Sequence, residues 1–167
     1  MEYLIRPMKK EEYCLLESFL YEAIFVPEGC AKPSRAILAQ PELQVYVKDF
    51  GKEPDDRCFV AEVEGEIIGA VWVRVMNDYG HIGEGIPSFA ISLYEQYRSK
   101  GIGTALMKAM LRELAEAGYD KTSLAVQKAN YAIGMYRNVG FEIIGENEEE
   151  YIMCCVLKEK KHCFCGG

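Results

Sequence analysis

The stretch "YRSKGIGTAL" at residues 97–106 constrains the fold more than any other part of the chain. It follows the apolar, strand-like run "SFAISLYE" and precedes residues whose apolar side chains recur at helical spacing. Gly101 and Gly103 stand at the start of that helix, with Arg98 and Lys100 just before them. A helix N-terminus attracts anions, and glycine removes the Cβ that would keep an anion from the backbone. The stretch therefore predicts a strand–turn–helix unit that binds a phosphate-like group.

The rest of the pattern predicts an α/β (α+β) chain with a mixed sheet. Glu64-Gly65 between two apolar runs predicts a tight hairpin, with glycine where a positive φ is needed. Asn130 is a typical N-terminal helix cap, because its side-chain oxygen accepts an unpaired backbone N–H. The order β-α-α-β-β-β-α-β-α-β-β predicts helices on both faces of the sheet. The predicted strands span 3–7, 57–63, 66–76, 88–95, 122–126, 141–146 and 149–157, and the predicted helices span 8–25, a region after Pro33, 102–117 and 131–139.

Length and charge narrow the class of protein. A chain of 167 residues can bury its own core, which predicts a single domain over residues 1–160 with a short tail over 161–167. No apolar run reaches the roughly 18–20 residues of a membrane span, and "MEYLIRPMKKEEY" carries no apolar leader. We therefore expect a cytoplasmic protein without a membrane partner. A net charge of −7 argues against nucleic-acid binding, which favours a basic excess.

The cysteines predict reduced thiols and no metal site. Seven are present, and without a secretory leader free thiols are expected. Cys154 and Cys155 are adjacent in a predicted strand, so they face opposite sides of it. His162, Cys163 and Cys165 in "HCFCGG" lack further ligands at the spacing that a zinc site needs.

Two common phosphate motifs fit the glycine stretch poorly. A P-loop requires Gly-Lys-Ser/Thr, whereas Gly103 is followed directly by Thr104. A dinucleotide-binding fingerprint needs a third glycine, and Leu106 stands at that position. The fingerprint also lies in the first βα unit of its fold, whereas four predicted strands precede this stretch.

A third pattern fits in two places. "RSKGIG" matches the pyrophosphate motif R/Q-x-x-G-x-G/A of the GNAT acetyltransferases. "NYAIGMYRNVGFE" is similar to that family's later Asn, Tyr and Gly-Phe segment, at Asn130, Tyr136, Gly140 and Phe141. The chain therefore resembles the GNAT family across roughly residues 2–157. The resemblance implies a mixed, mostly antiparallel, splayed sheet, the acyl-CoA N-acyltransferase fold.

The resemblance also implies a cofactor and where it binds. Acetyl-CoA or coenzyme A would place its pyrophosphate on the amides of residues 98–104. Its pantetheine arm would pair with the main chain of the splayed strand from Ile91 to Leu93. Asn130 would contact the same arm, or act purely as a helix cap. The residues assigned to the cofactor are Ile91, Leu93, Arg98, Ser99, Lys100, Gly101, Ile102, Gly103, Thr104 and Asn130.

The implied reaction is acetyl transfer to a primary amine by direct attack, through a tetrahedral intermediate. Tyr136 matches the family's usual general acid for the leaving thiolate; the alternative is a tyrosine that only packs in the core. A backbone N–H near Leu93 would stabilise the oxyanion. The base is open between Glu84, His81 and Glu28, and other family members use waters. Glu84 is our assignment among these.

The acceptor pocket is the least determined part of the prediction. We assign Phe25, Glu28 and Trp72 to it, although Trp72 on an apolar strand suits ordinary core packing equally well. Arg74 shares a face with Trp72 and suits a carboxylate. The acidic run at 145–150 suits a solvated turn or, alternatively, a cationic acceptor. The acceptor itself, a small molecule or a peptide amine, stays open.

Two further points stay open at this level. A protein that binds acyl-CoA as a sensor but has weak or no catalytic activity is the alternative to an enzyme, and the retained Tyr136 argues against it. A homodimer is an expectation from the family resemblance alone.

Overall fold

A computed structural model of the chain describes residues 1–157. The predicted tail over residues 161–167, with Cys163 and Cys165, lies outside the described residues. None of the helices within residues 1–157 is long and apolar enough to span a bilayer.

The described chain contains seven strands and four α-helices. The strands are β1 (Leu4–Pro7), β2 (Arg57–Val63), β3 (Glu66–Arg74), β4 (Ser88–Leu93), β5 (Lys121–Gln127), β6 (Glu142–Glu146) and β7 (Glu150–Val156). The helices are α1 (Leu16–Ala23), α2 (Pro41–Gln44), α3 (Ile102–Glu116) and α4 (Ile133–Asn138). Three 3₁₀ segments, Lys10–Leu15, Arg35–Ala39 and Glu95–Tyr97, complete the set.

The strands form one sheet in the order β1-β2-β3-β4-β5-β7-β6. All neighbours are antiparallel except β4 and β5, which run parallel and share a single register pair, Ser88 with Ser123. Beyond that pair the two strands diverge. The mixed, mostly antiparallel, splayed sheet that the sequence predicts is therefore confirmed.

Two hydrogen bonds from β5 to the Pro87 carbonyl, just before β4, hold the two strands together at their closed end. Thr122 Oγ1 donates to the carbonyl oxygen of Pro87 at 2.7 Å, and the Ser123 backbone N–H donates to the same oxygen at 3.1 Å. Both residues are fully buried. Because these groups are shielded from water, their hydrogen bonds fix where the divergence begins.

A hydrophobic core lies on each face of the sheet. On one face, the apolar stripe of α3 packs with α4 side chains against β2–β5 and β7, and Leu106, Met107 and Met110 are completely buried there. On the other face, α1 packs over β3 and β4, with Phe19 and Trp72 at the centre. Burial on both sides explains why β3 is almost continuously apolar rather than alternating.

The early helices differ from their prediction. The helix predicted over residues 8–25 is a 3₁₀ segment up to Leu15, followed by the short helix α1. No residue of the segment Lys10–Leu15 is buried, so tertiary packing does not stabilise an α-helix there. Glu12 instead accepts hydrogen bonds from the Lys9 N–H and from the Arg6 guanidinium, both at 2.8 Å. These bonds, with the Arg6 charge, hold the pKa of Glu12 down to about 2.

Candidate active site

A cavity of about 500 Å³ lies beside the diverging end of β4. One wall comes from the end of α1 and the segment that follows, through Phe25 to Pro33. The second wall comes from the start of α4 and the residues just before it. Between them lie Ile91–Leu93 of β4 and the glycine turn over residues 98–104. The cavity thus joins both sequence motifs in one place.

The glycine turn has the backbone conformation of an anion site. Ser99 has φ of 60° and Gly101 has φ of 85°, so the chain turns sharply before α3 begins at Ile102. Gly101 is the N-cap residue, and no side chain caps the first amides of α3. Because those amides have no acceptor from the helix itself, they are available to an anion in the cavity.

Glycine is required at positions 101 and 103 for different structural reasons. A Cβ at Gly101 would meet nothing within 4 Å, so this position is glycine for its positive φ. A Cβ at Gly103 would lie 3.2 Å from Met135 Sδ and 3.5 Å from Leu93 Cδ1. Gly103 therefore lets α4 and β4 approach the start of α3, a packing requirement that the sequence analysis did not foresee.

Alternation along β4 places the main chain of Ile91 and Leu93 on the open edge. The Tyr94 N–H donates to Ile68 O of β3 at 3.0 Å. Because backbone groups of successive strand residues point to opposite edges, those of residues 91 and 93 point away from β3. The Leu93 carbonyl accepts from Arg98 Nε at 3.0 Å, which is consistent with that direction. The open edge thus offers the Leu93 N–H and both main-chain groups of Ile91.

Arg98 is engaged within the protein. Besides the Leu93 carbonyl, its Nη2 reaches the Glu22 carbonyl oxygen at 3.3 Å and Glu22 Oε2 at 3.4 Å. Glu22 lies in the last turn of α1, where carbonyls lack helical partners. Arg98 therefore ties the end of α1 to the end of β4, and it lines the cavity while doing so.

Not every residue of the turn faces the cavity. Ser99 and Thr104 line it, together with Gly101 and Gly103. Lys100 is exposed outside the cavity wall. Ile102 is 1% exposed and packs in the core beneath the turn. Its main-chain N–H belongs to the first turn of α3, so its contribution to an anion site is confined to the backbone.

Tyr136 and Asn130 stand on the opposite wall. The Tyr136 side chain lines the cavity, and its hydroxyl makes no hydrogen bond within residues 1–157. Burial raises the pKa of Tyr136 to about 12, with a smaller contribution from Tyr131. Asn130 Oδ1 accepts from the Ala132 N–H at 2.9 Å, but the N-cap residue of α4 is Ala132, so Asn130 closes a turn just before the helix and the predicted cap is wrong. The amide NH₂ of Asn130 keeps both of its donors for another partner.

The match to a known family decides the identity of the chain. Residues 24–141 match the sequence profile of the acetyltransferase (GNAT) family. The chain belongs to the GNAT family. The matched region contains the glycine turn, the open edge of β4 and Tyr136, so most of the cavity wall belongs to it; Tyr21, Glu22 and Ala23 of α1 precede it.

Relatives and solved structures agree with that assignment. The chain is 30% identical over 138 residues to an N-alpha-acetyltransferase of Sulfurisphaera tokodaii, covering 72% of this chain and 82% of the relative. It is 34% identical over 106 residues to an acetyltransferase of Pectobacterium atrosepticum, covering 62% and 69%. The fold matches a GNAT acetyltransferase of Streptococcus pneumoniae with a TM-score of 0.70 at 20% identity, over 94% of this chain and 100% of that one.

A further structural neighbour was crystallised with coenzyme A. This is the PaiA N-acetyltransferase of Thermoplasma acidophilum, with a TM-score of 0.68, 18% identity, and coverage of 93% of this chain and 99% of that one. At this identity the likeness establishes the fold, which is the GNAT fold that the sequence predicts.

The α1 side of the GNAT cavity is mainly apolar. Ile24, Phe25, Val26 and Pro33 line it, and the assignment of Phe25 to the acceptor stays a prediction. The Tyr21 hydroxyl donates to the Pro33 carbonyl at 2.6 Å and fastens this wall. Glu28, which was also assigned to the acceptor pocket, is exposed in the turn between Val26 and Lys32 and does not line the cavity.

Trp72 is a core residue, contrary to its assignment to the acceptor pocket. It is completely buried in the α1-side core, and its indole N–H donates to the Tyr46 carbonyl at 3.0 Å. Arg74 on the same face is also occupied, because Asp56 accepts from its Nε at 3.0 Å. Neither residue lines the cavity. Both faces of β3 are covered, and no residue of this strand lines the cavity.

We expect Trp72→Phe to lower stability without affecting catalysis. The change removes one buried hydrogen bond and some ring volume, which should cost about 1–2 kcal/mol of unfolding free energy. Chemical denaturation measures this loss, and steady-state kinetics of the folded variant should give wild-type constants. A raised acceptor KM at unchanged stability would restore Trp72 to the acceptor pocket.

The structure does not bring the predicted bases into the cavity. Glu84 is exposed in the loop over residues 77–87, outside the cavity wall. His81, in the same loop, has a buried Nδ1 without a hydrogen-bond partner in the described part of the chain, and it lies outside the wall as well. The base assignments to Glu84, His81 and Glu28 therefore gain no support from the geometry.

Sequence reasoning missed several residues that line the cavity, Glu22, Lys32 and Tyr131 among them. Glu22 brings a carboxylate into the wall, and Lys32 brings an ammonium. Tyr131, whose side chain is 73% exposed, lines the mouth next to Asn130. Of these three, only Tyr131 had a sequence signal, namely its position beside Asn130 in the second motif.

Proposed function

We propose that this GNAT protein is an acetyl-CoA-dependent N-acetyltransferase that acts on a primary amine by direct transfer. One observation carries the proposal: the uncapped turn before α3, the open edge of β4 and the buried phenol of Tyr136 line one cavity. Two relatives, an N-alpha-acetyltransferase and an acetyltransferase, support the same reaction class.

The described residues suit acetyl-CoA along the whole length of the cavity. The amides at residues 98–104 would bind the pyrophosphate, where the uncapped helix end favours negative charge. The open main chain of Ile91 and Leu93 would pair with the amides of the pantetheine arm, as an added strand pairs with a sheet edge. The Asn130 amide would donate to the same arm. The thioester would then lie near Tyr136.

The chemistry requires one proton to leave and one to arrive. The neutral amine nitrogen attacks the acetyl carbon, the carbon–sulfur bond breaks, and the product is an amide plus a free thiol. The Leu93 N–H on the open edge is our choice of oxyanion donor. Tyr136 would protonate the leaving thiolate. Within residues 1–157 no histidine lines the cavity, Glu22 is paired with Arg98, and Glu95 is an exposed carboxylate beyond the end of β4, so we propose that the amine loses its proton to water.

An assay of thiol release tests the function directly. Acetyl-CoA and a library of primary amines are supplied, and release of free thiol that depends on amine is the expected result. Saturable binding of acetyl-CoA without release of thiol for any amine would contradict the enzyme and favour the sensor alternative. Absence of acetyl-CoA binding would contradict both.

The pH profile follows from the chemistry and from Tyr136. The acceptor must be neutral, so kcat/KM should rise with pH toward the pKa of the amine, about 8 for an α-amine and about 10 for an alkylamine. Because the pKa of Tyr136 is raised to about 12, the phenol keeps its proton over that range. No loss of activity from its ionisation is expected below about pH 11.

A pH-rate profile with one amine measures this. A descending limb below pH 10 that disappears in Tyr136→Phe would show that the phenol ionises earlier than its burial implies.

A further inference from the structure

We infer that the acceptor is a small amine that also carries a carboxylate and an apolar side chain, and that Lys32 binds the carboxylate. The inference rests on the proposed acetyl transfer and specifies its substrate. An α-amino acid with an apolar side chain has this chemistry; a polyamine does not.

Positive charge on the α1 side of the cavity has no carboxylate partner. Lys32 lines the cavity and forms no ion pair within residues 1–157. Arg35, three residues further on, lies over the Tyr21 ring at 5.1 Å and donates to Ser18 Oγ at 3.3 Å, again without a carboxylate. In a chain with a net charge of −7, two such cations beside one cavity wall indicate an anionic ligand.

The carboxylate on the α1 side of the cavity is not available to an acceptor. Glu22 Oε2 lies 3.4 Å from Arg98 Nη2, and that side chain is only 17% exposed. Glu95, the other carboxylate of the cavity wall, is exposed and forms no ion pair within residues 1–157, but it follows β4 and does not belong to the α1 side. A second ammonium group, as in a diamine or polyamine, would find no free carboxylate on the α1 side. This geometry disfavours cationic acceptors, although the acidic composition alone favours them.

The wall beside Lys32 suits an apolar body. Ile24, Phe25, Val26 and Pro33 are half-buried and line the same side of the cavity. The hydrogen bond from the Tyr21 hydroxyl to the Pro33 carbonyl fixes the main chain next to Lys32. An acceptor therefore meets an apolar surface with one ammonium at its margin, which matches an apolar side chain and a carboxylate on one small molecule.

The test compares three amines of known structure in the thiol-release assay. These are phenylalanine, phenethylamine (which lacks only the carboxylate) and spermidine, with each rate corrected to the neutral fraction of the reacting amine. We expect kcat/KM for phenylalanine to exceed that for phenethylamine by about fivefold, as an exposed ion pair allows, and to exceed that for spermidine by more.

Substitution of Lys32 makes the test specific. Lys32→Gln should abolish the preference of the enzyme for phenylalanine over phenethylamine. Lys32→Glu should raise kcat/KM for spermidine, relative to that for phenylalanine, above the wild-type ratio. Lys10→Gln, at an exposed lysine outside the cavity, is the matched control and should keep the wild-type ratios.

The outcomes separate this inference from the reaction itself. If amines are acetylated but phenethylamine or spermidine matches phenylalanine, or if Lys32→Gln keeps the wild-type ratio, the inference is overturned and the acetyltransferase stands. If acetyl-CoA binds and no amine is acetylated, the proposed function fails and this inference fails with it.

Discussion

Tyr136→Phe should lower turnover by about 100-fold, with acetyl-CoA affinity nearly unchanged. The ring and its packing against Phe141, at a centroid distance of 6.3 Å, are kept, and only the donor is lost. General acids contribute about 10²–10⁴-fold, and a thiol of pKa about 8.5 is a fairly good leaving group, so the low end applies. Single-turnover rates together with equilibrium binding of acetyl-CoA measure the two effects separately.

A matched control is available at Tyr119. Its hydroxyl donates to Asp55 outside the cavity, so Tyr119→Phe removes a phenolic hydroxyl that has no contact with the cavity. That variant should lose some stability and keep wild-type turnover. If Tyr136→Phe likewise keeps wild-type turnover, Tyr136 is a packing residue and the thiolate takes its proton from water.

Gly101→Asp should weaken acetyl-CoA binding by about 30-fold relative to Gly101→Asn, a difference of about 2 kcal/mol. Both side chains tolerate the positive φ of 85° at this position better than other residues do, and a Cβ there meets nothing within 4 Å. The two variants have nearly the same shape, so their difference reports the added negative charge beside the uncapped amides of α3. Isothermal titration calorimetry gives both dissociation constants.

A shorter thioester identifies the group that the charge repels. Acetyl-pantetheine lacks the pyrophosphate, so the two Gly101 variants should bind it equally. If Asp and Asn at position 101 bind acetyl-CoA with equal affinity, or if their difference persists with acetyl-pantetheine, the pyrophosphate does not lie at this turn. Gly103 is less suitable for this test, because any side chain there also displaces Met135.

Local motifs were sufficient to predict one side of the cavity. Gly101, Asn130 and Tyr136 each belong to a segment whose turn or helix start is determined by nearby residues, through a positive φ or a side-chain hydrogen bond within the turn. Such features depend on the chain within a few residues, so the sequence alone predicts them. The splayed sheet followed from the family resemblance of the same segments.

The other wall depends on contacts that no local pattern contains. Glu22 enters the cavity wall beside Arg98, which lies 76 residues further along the chain. Trp72 was misassigned because β3 is buried on both faces, and alternation along a strand does not say which face meets a cavity. Glu84 lies in a loop without periodicity, so the direction of its side chain could not be derived from the sequence.

The divergence of β4 from β5 also bears on self-association. It exposes unpaired main-chain groups in the middle of a seven-stranded sheet, where a strand normally has two neighbours. Such an edge is a template for pairing with another polypeptide. Here the end of α1 and the start of α4 flank the opening, so the side chains of an added polypeptide strand would meet both walls. An arm that carries amides but no amino-acid side chains would not. We therefore expect the same two walls to favour the cofactor and to oppose pairing with another chain.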